Sequence, residues 1–277
     1  MRIYFLFILS LLFFGCETGQ TIEVDLNEKI IIPKHYVVSK TSDPILIDGI
    51  DNEKVWNQAK YSDDFIDIEG LKTPTQKTNV KLLWDKNYLY VFAKLFENHI
   101  WGDITERDDV IFYNNDFEVF INPNNHVFSY GEIEINALGT VWDLYLNRPY
   151  RLKGKADNNW NIDGLKSAVN INGTINNPND VDNFWTVEMA IPLDKISQLK
   201  TTLDYDNPKI GDVWRINFSR VNWDYELKNE KYFRKKINDK YLPEYNWVWS
   251  QQGTVNMHLP ENWGYLIFSD YNYNYTI

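Results

Sequence analysis

Apolar and polar residues alternate with a period of two over many short stretches of the chain. In "NNDFEVFINP" the apolar positions are Phe117, Val119 and Ile121, and in "YGEIEINALGT" they are Ile133 and Ile135. That period puts these side chains on one face of a strand, and Glu118, Glu132, Glu134 and Asn136 on the other. "NVKLLWDKNYLYVFAKLFE" carries two apolar runs about Asp85-Lys86-Asn87, which predicts a hairpin. Further strands are predicted at "GTVWDLYLN", "SAVNINGTI", "FWTVEMAIPL", "DVWRINFSRVNW", "WVWS" and "WGYLIFS", each bounded by Asn, Asp, Gly or Pro. Two short helices are expected, one near 51–59 with Asp51 as its cap and one near 193–199. Many short strands at this spacing predict an all-β chain folded as a single β-sandwich of jelly-roll type. Segments 147–164 and 224–246 read as long, polar, irregular loops, the usual places for binding on a sandwich. No tandem repeat of fixed period is found.

The first residues do not follow this pattern. Arg2 precedes an apolar run from Ile3 to Phe14, and Gly15-Cys16 follows. The run is too short to span a bilayer and reads as a secretory signal over residues 1–15. Phe13-Phe14-Gly15-Cys16 looks like a bacterial lipobox, which makes Cys16 the lipidated first residue of an exported envelope protein, with the outer membrane or cell surface favoured. Residues 16–42 then read as a tether and lead-in strand, and 43–270 as the sandwich. With one cysteine in the chain, no internal disulfide forms.

A formal net charge of −11 sets aside nucleic acid and anionic lipid surfaces as partners and leaves the N-terminal lipid as the expected membrane contact. Aromatic residues make up 16% of the chain, with 11 Trp, 18 Tyr and 15 Phe. That abundance suits strands, and it also suits a surface that stacks against flat ligands.

Several chemistries find little support. There is no Gly-x-Ser-x-Gly elbow and no glycine-rich phosphate or dinucleotide motif. The histidines at 35, 99, 126 and 258 share no metal-ligand spacing. Met257 and His258 are adjacent, and on a strand they would face opposite ways. A haem would therefore have to use Met189 with His126 or His258. Paired carboxylates of the kind a glycosidase needs are abundant, yet none forms a distinctive pattern. Oxygen-rich stretches such as "IDGIDNE" and "NDVDN" make Asp48, Asp51, Asp180 and Asp182 candidates for a structural Ca2+, with Asx turns as the alternative. No other cofactor is implied.

Taken in order, "ILIDGIDNEKVWNQA", "TNVKLLWDKNYLYVFAKLFE", "NNDFEVFINP", "YGEIEINALGT", "WTVEMAIP", "GDVWRINFSRV" and "HLPENWGYLIF" resemble family 9 carbohydrate-binding modules and their DOMON-like relatives. The resemblance runs from about residue 43 to 269. It implies a sandwich that binds sugars without cutting them, by clamping a sugar between two tryptophans and bonding its hydroxyls. Carried over residue by residue, it puts Phe112 or Tyr113 at the first clamp position and Met257 at the second. Glu118 falls where the family places a hydroxyl-binding carboxylate. Asp116, Asn136 and His258 join the candidate set, and Glu134 stands where binding members carry an arginine. That last change reverses the charge offered to a ligand, so specificity is not carried over.

Trp101, Trp160 and Trp223 lie in polar, loop-like surroundings from which a stacking platform can form. Trp84, Trp185, Trp214 and Trp263 read as core. Arg220 falls on the face of Trp214, Ile216 and Phe218, where a buried guanidinium needs a carboxylate such as Glu118 or Glu188. The expected function is non-catalytic glycan binding at the cell envelope, supporting capture or degradation by a neighbouring glycoside hydrolase or importer. The alternatives are a glycoside hydrolase, a structural surface protein that has lost its sugar site, and a haem-binding electron-transfer domain.

Overall fold

The computed structural model describes residues 31–270. The signal, Cys16 and most of the tether lie outside the described residues. Seventeen strands are found among the described residues: β1 (His35–Lys40), β2 (Ile66–Asp67), β3 (Thr78–Trp84), β4 (Tyr88–Phe96), β5 (Asp116–Asn122), β6 (Tyr130–Asn136), β7 (Val141–Leu146), β8 (Ala156–Asp157), β9 (Lys166–Asn172), β10 (Phe184–Pro192), β11 (Val213–Asn222), β12 (Tyr225–Lys228), β13 (Lys231–Arg234), β14 (Lys236–Ile237), β15 (Lys240–Tyr241), β16 (Tyr245–Val248) and β17 (Gly264–Ser269). Among the described residues, helix is confined to 3-10 turns and one short α-helix, Leu193–Ser197.

One curled sheet runs β8-β7-β6-β5-β11-β17-β1-β3-β4-β10-β9 and forms the two layers of a β-sandwich. β11 joins the layers. Val213–Ile216 at its start pairs with β17, and Ser219–Asn222 at its end pairs with β16. The strand expected to lead in is β1, and it runs parallel between β17 and β3. Its neighbours on both sides supply its backbone partners, so it is an interior strand of the sheet.

Alternation decides what fills the sandwich. Phe117, Val119, Ile121, Ile133 and Ile135 from one layer meet Val80, Leu82, Val187, Met189 and Ile191 from the other in one buried cluster. Burying each such side chain contributes roughly 1.5–3 kcal/mol. Trp84, Trp185 and Trp214 join this core as expected, while Trp263 packs in a second cluster on the opposite side of the β5–β6–β7 layer.

The turns follow local chemistry. Asp85 Oδ1 accepts from the Asn87 and Tyr88 amides, each at 2.7 Å, and closes the β3–β4 hairpin. The helix expected near 51–59 is the 3-10 turn Lys54–Gln58, but Asp51 does not cap it: Asp51 pairs with Lys81 at 2.6 Å. Residues 224–246 are not irregular. They fold into two small hairpins, β12–β13 and β14–β15, and run on into β16.

Candidate functional site

The outer face of β5, β6 and β7 is where the polar positions of the alternating pattern gather. Register pairs Glu118 with Glu134, Phe120 with Glu132 and Glu134 with Trp142. A polar sheet face is by default the wet one. Here it is covered: Glu118, Glu132 and Glu134 are each no more than 5% exposed. The cover comes from the turn at Ile111–Tyr113, from Tyr150, and from residues 244–258. Together they leave a cavity of about 390 Å3 bordered by Phe112, Trp142, Met257 and the three glutamates.

Each wall residue is held by identifiable bonds. The Phe112 amide donates to Glu134 Oε2 at 3.0 Å, and the Phe112 carbonyl accepts from Trp223 Nε1 at 2.8 Å. Phe112 also stacks against Trp142, with ring centroids 6.4 Å apart. The Met257 carbonyl accepts from Trp263 Nε1 at 2.7 Å, which fixes the loop that brings Met257 over the strands. His258 Nδ1 lies 3.0 Å from the Tyr130 hydroxyl, and Arg151 donates to the His258 carbonyl at 2.9 Å. Burial lowers the His258 imidazole to about 4, so it is neutral near pH 7.

The electrostatics are one-sided. Oxygens of Asp116, Glu118 and Glu134 all lie within 4.8 Å of one another. Asp116 Oδ1 accepts from the Val221 amide, while Asp116 Oδ2 and Glu118 Oε2 are buried without a hydrogen-bond partner among the described residues. Burial raises the Glu118 carboxyl to about 7, and the charge of Glu244 adds to the rise. Burial, then the charge of Glu118, pushes Asp116, Glu132 and Glu134 well above the ordinary carboxylate range. Like charges this close in a desolvated site cannot all ionise, so the cluster holds protons or meets a cation.

The residues expected at a site divide. Phe112, Glu118, Glu134, Met257 and His258 border this one cavity. Tyr113 points elsewhere: it is 44% exposed and carries the Arg234 guanidinium on its ring at 4.2 Å. Asn136 is consumed by structure. Its amide donates to the Ile104 carbonyl at 2.8 Å, and its oxygen accepts from the Leu138 and Thr140 amides, which closes the β6–β7 turn. Asp116 does not line the cavity: it is fully buried, with an oxygen within 4.8 Å of those of Glu118 and Glu134. Met257 and His258 do not face opposite ways, because residues 255–259 form a loop and not a strand. Met189 lies in the sandwich interior and His258 borders the cavity on the outer face of β5 and β6, so these two cannot be axial partners.

The expected stacking platform is not found. Trp101 and Trp223 are buried together with Tyr232 beneath the β12–β13 hairpin, and Trp160 packs over Gly131 at the sandwich rim. Polar sequence neighbours disguised them, because loops packing on loops bury rings that no periodicity marks. Arg220 has the buried acid it needs, but that acid is Glu97, at 2.9 Å. Of the loop aspartates, Asp48 Oδ1 accepts from the Ile50 amide, Asp180 accepts from the Thr174 hydroxyl, and Asp182 accepts from the Ile100 and Thr174 amides. Among the described residues, the group of three whose ligand oxygens converge is Asp116, Glu118 and Glu134.

Sequence reasoning missed Glu132, Phe120 and Trp142 as wall residues, although alternation alone puts them on the face of Glu118 and Glu134. It also missed Tyr150 and Glu244, which arrive from the two long segments flagged for binding. A second cavity of about 310 Å3 lies by the hairpins, but its charged groups already have partners: Lys228 pairs with Glu226, and Arg234 stacks on Tyr113, Trp223 and Tyr241. The carboxylate cavity is therefore the stronger candidate.

The family model described as carbohydrate family 9 binding domain-like matches residues 47–232. A family 9 carbohydrate-binding module from Caldicellulosiruptor kristjanssonii, solved with glucose, superposes with a TM-score of 0.55 at 17% identity, covering 86% of this chain and 96% of that one. A family 9 carbohydrate-binding module from the same organism, solved with cellotriose, gives 0.54 at 16% identity, covering 88% and 97%. A putative carbohydrate-binding protein from Bacteroides uniformis gives 0.59 at 15% identity, covering 85% and 99%. No curated protein sequence matches the chain.

Proposed function

Because the chain belongs to the carbohydrate family 9 binding domain-like family, we propose that it binds carbohydrate, without cleaving it, in the carboxylate-lined cavity over β5 and β6. One observation carries this reading: a single cavity joins an apolar wall of Phe112, Trp142 and Met257 to the buried acceptors Glu118, Glu132 and Glu134. A pyranose has the same two characters. Its C–H faces pack on apolar and aromatic groups, and its rim of hydroxyls donates to carboxylates. The modules solved with glucose and cellotriose support a glycan ligand. Sequence identity of 16–17% to them does not carry their specificity across.

The leader sequence supports a place for this activity. A lipid on Cys16 would hold the protein at the cell envelope, where it captures glycan for a neighbouring glycoside hydrolase or importer. Such sites bind weakly to moderately, since few contacts must offset the dehydration of many hydroxyls. Anchoring many copies on one surface compensates through avidity.

The test is a glycan array probed with the full-length protein in detergent micelles, with Ca2+ and again with chelator. A saturable hit lost in Phe112→Ala or Glu118→Ala is the expected result. Release of soluble sugar from a hit, abolished by Glu118→Gln or Glu134→Gln, would move the reading to a glycoside hydrolase. Silence across plant, algal and host glycans, from protein proven folded, would leave a structural surface protein.

A further inference from the structure

The cavity has a charge as well as a shape, and the charge narrows the ligand. Glu118, Glu132 and Glu134 line it from two adjacent strands, Glu244 adds a fourth carboxyl, and Asp116 is buried next to Glu118 and Glu134. Among the described residues, no lysine or arginine lines it. Three arginines of the surrounding segments, Arg220, Arg151 and Arg234, are engaged elsewhere. Arg220 is buried against Glu97, Arg151 pairs with Glu261 at 2.8 Å, and Arg234 is stacked among Tyr113, Trp223 and Tyr241. His258 contributes a neutral ring. Two buried oxygens, Glu118 Oε2 and Asp116 Oδ2, have no hydrogen-bond partner among the described residues, and both side chains are at least 95% buried. An unmatched carboxylate oxygen inside a protein is costly, and a cation that reaches it removes that cost.

A bare metal ion uses little of what is present. Hard cations take oxygens at about 2.0–2.6 Å and need no apolar wall. This cavity has one, in Phe112, Trp142 and Met257, and its volume of about 390 Å3 is of the size that holds a small organic molecule. A ligand that satisfies both features has a ring with apolar faces and a positive charge on its rim.

Resting on the reading of this cavity as a sugar site, we propose that the glycan it selects carries a free amino group: a glucosamine-type residue whose ammonium sits between Glu118 and Glu134. The ammonium donates three hydrogen bonds and brings the charge that the like-charged pair lacks. An N-acetylated unit has no charge to offer and adds bulk at the same place. A uronic acid or sulfated sugar would be repelled by the same carboxylates.

Titration calorimetry on the full-length protein in micelles tests this with five probes: a glucosamine tetrasaccharide, its fully N-acetylated counterpart, cellotetraose, an oligogalacturonate and Ca2+ alone. The expected result is at least tenfold tighter binding of the amino oligosaccharide than of either neutral one, and none of the oligogalacturonate. Glu118→Gln and Glu134→Gln should each erase that preference, with circular dichroism unchanged. If either variant fails to fold, the wild-type ranking of the five probes still decides. Equal or tighter binding of a neutral oligosaccharide overturns the amino-sugar assignment and leaves carbohydrate binding standing. Binding of Ca2+ with no amino-sugar preference also overturns it and makes the carboxylates a metal site. No binding of any oligosaccharide overturns both readings.

Discussion

Glu118 and Glu134 stand directly opposite each other on β5 and β6, two carboxyls in register and both buried. Like charges paired across neighbouring strands destabilise a sheet. A fold that keeps such a pair under a lid of loops holds it as neutral acids or supplies it with a counter-charge when a ligand arrives. The first consequence concerns pH.

Burial raises the Glu118 carboxyl to about 7, so the folded protein holds a proton that the unfolded chain gives up near pH 4.3. Between those values the native state binds more protons than the unfolded one, and stability falls as pH rises. The contribution is complete below about pH 4.3 and lost as pH climbs through about 7. Glu188, also raised to about 7 by burial, acts in the same window. The ligand-free protein should therefore melt at a higher temperature near pH 5 than near pH 8, and Glu118→Gln should flatten the difference. A wild-type Tm that climbs steadily from pH 5 to 8 would contradict this.

The buried pair Glu97–Arg220 makes the opposite case, because each charge has its partner. Arg220 also donates to the Phe96 carbonyl at 2.8 Å and to Gln76 at 3.0 Å, and Glu97 accepts from Trp185 Nε1 at 3.0 Å. Removing one partner strands the other in the interior. Arg220→Met and Glu97→Ala should each cost about 3–5 kcal/mol in urea unfolding. The double variant should cost clearly less than the sum.

Wall residues should separate from their sequence neighbours. Phe112→Ala should weaken glycan binding by roughly tenfold, equivalent to about 1.4 kcal/mol. Tyr113→Ala, one residue on but turned toward Arg234, should leave affinity within about twofold. Equal losses from both would mean that the ligand spreads over the hairpin side as well.

Trp101 and Trp223 should behave as core. Trp101→Ala and Trp223→Ala are expected to destabilise the protein by about 3–5 kcal/mol, as deletion of a buried ring does. Glycan affinity of whatever remains folded should change little for Trp101→Ala. Trp223 is a different matter, since its indole nitrogen holds the Phe112 carbonyl. Trp223→Phe should keep most of the stability and still loosen binding.

Packing leaves one tight backbone test at Gly264, at the start of β17. A Cβ there would fall 2.8 Å from the Lys34 carbonyl oxygen and into the Trp249 ring. Gly264→Ala should lower stability by about 1–3 kcal/mol, in the range of core overpacking. A neutral result would mean that Trp249 has room to turn.

Local pattern was enough for the sandwich. The two-residue period of Phe117, Val119 and Ile121 needs no distant information, since a strand's side chains alternate whatever it pairs with. The same period put Glu118 and Glu134 on one face, and it held the missed residues Glu132 and Trp142 as well. What alternation leaves open is the environment of that face. Whether it meets water or a covering loop depends on where residues 111–113, 150 and 244–258 return in space, and those segments have no period of their own. Only the tertiary structure buried the carboxylates, shifted their titration, left Tyr113 outside the cavity under Arg234, and gave Arg220 its partner in Glu97. Each of these depends on contacts between residues far apart along the chain, fixed by long-range packing that a sequence pattern does not record.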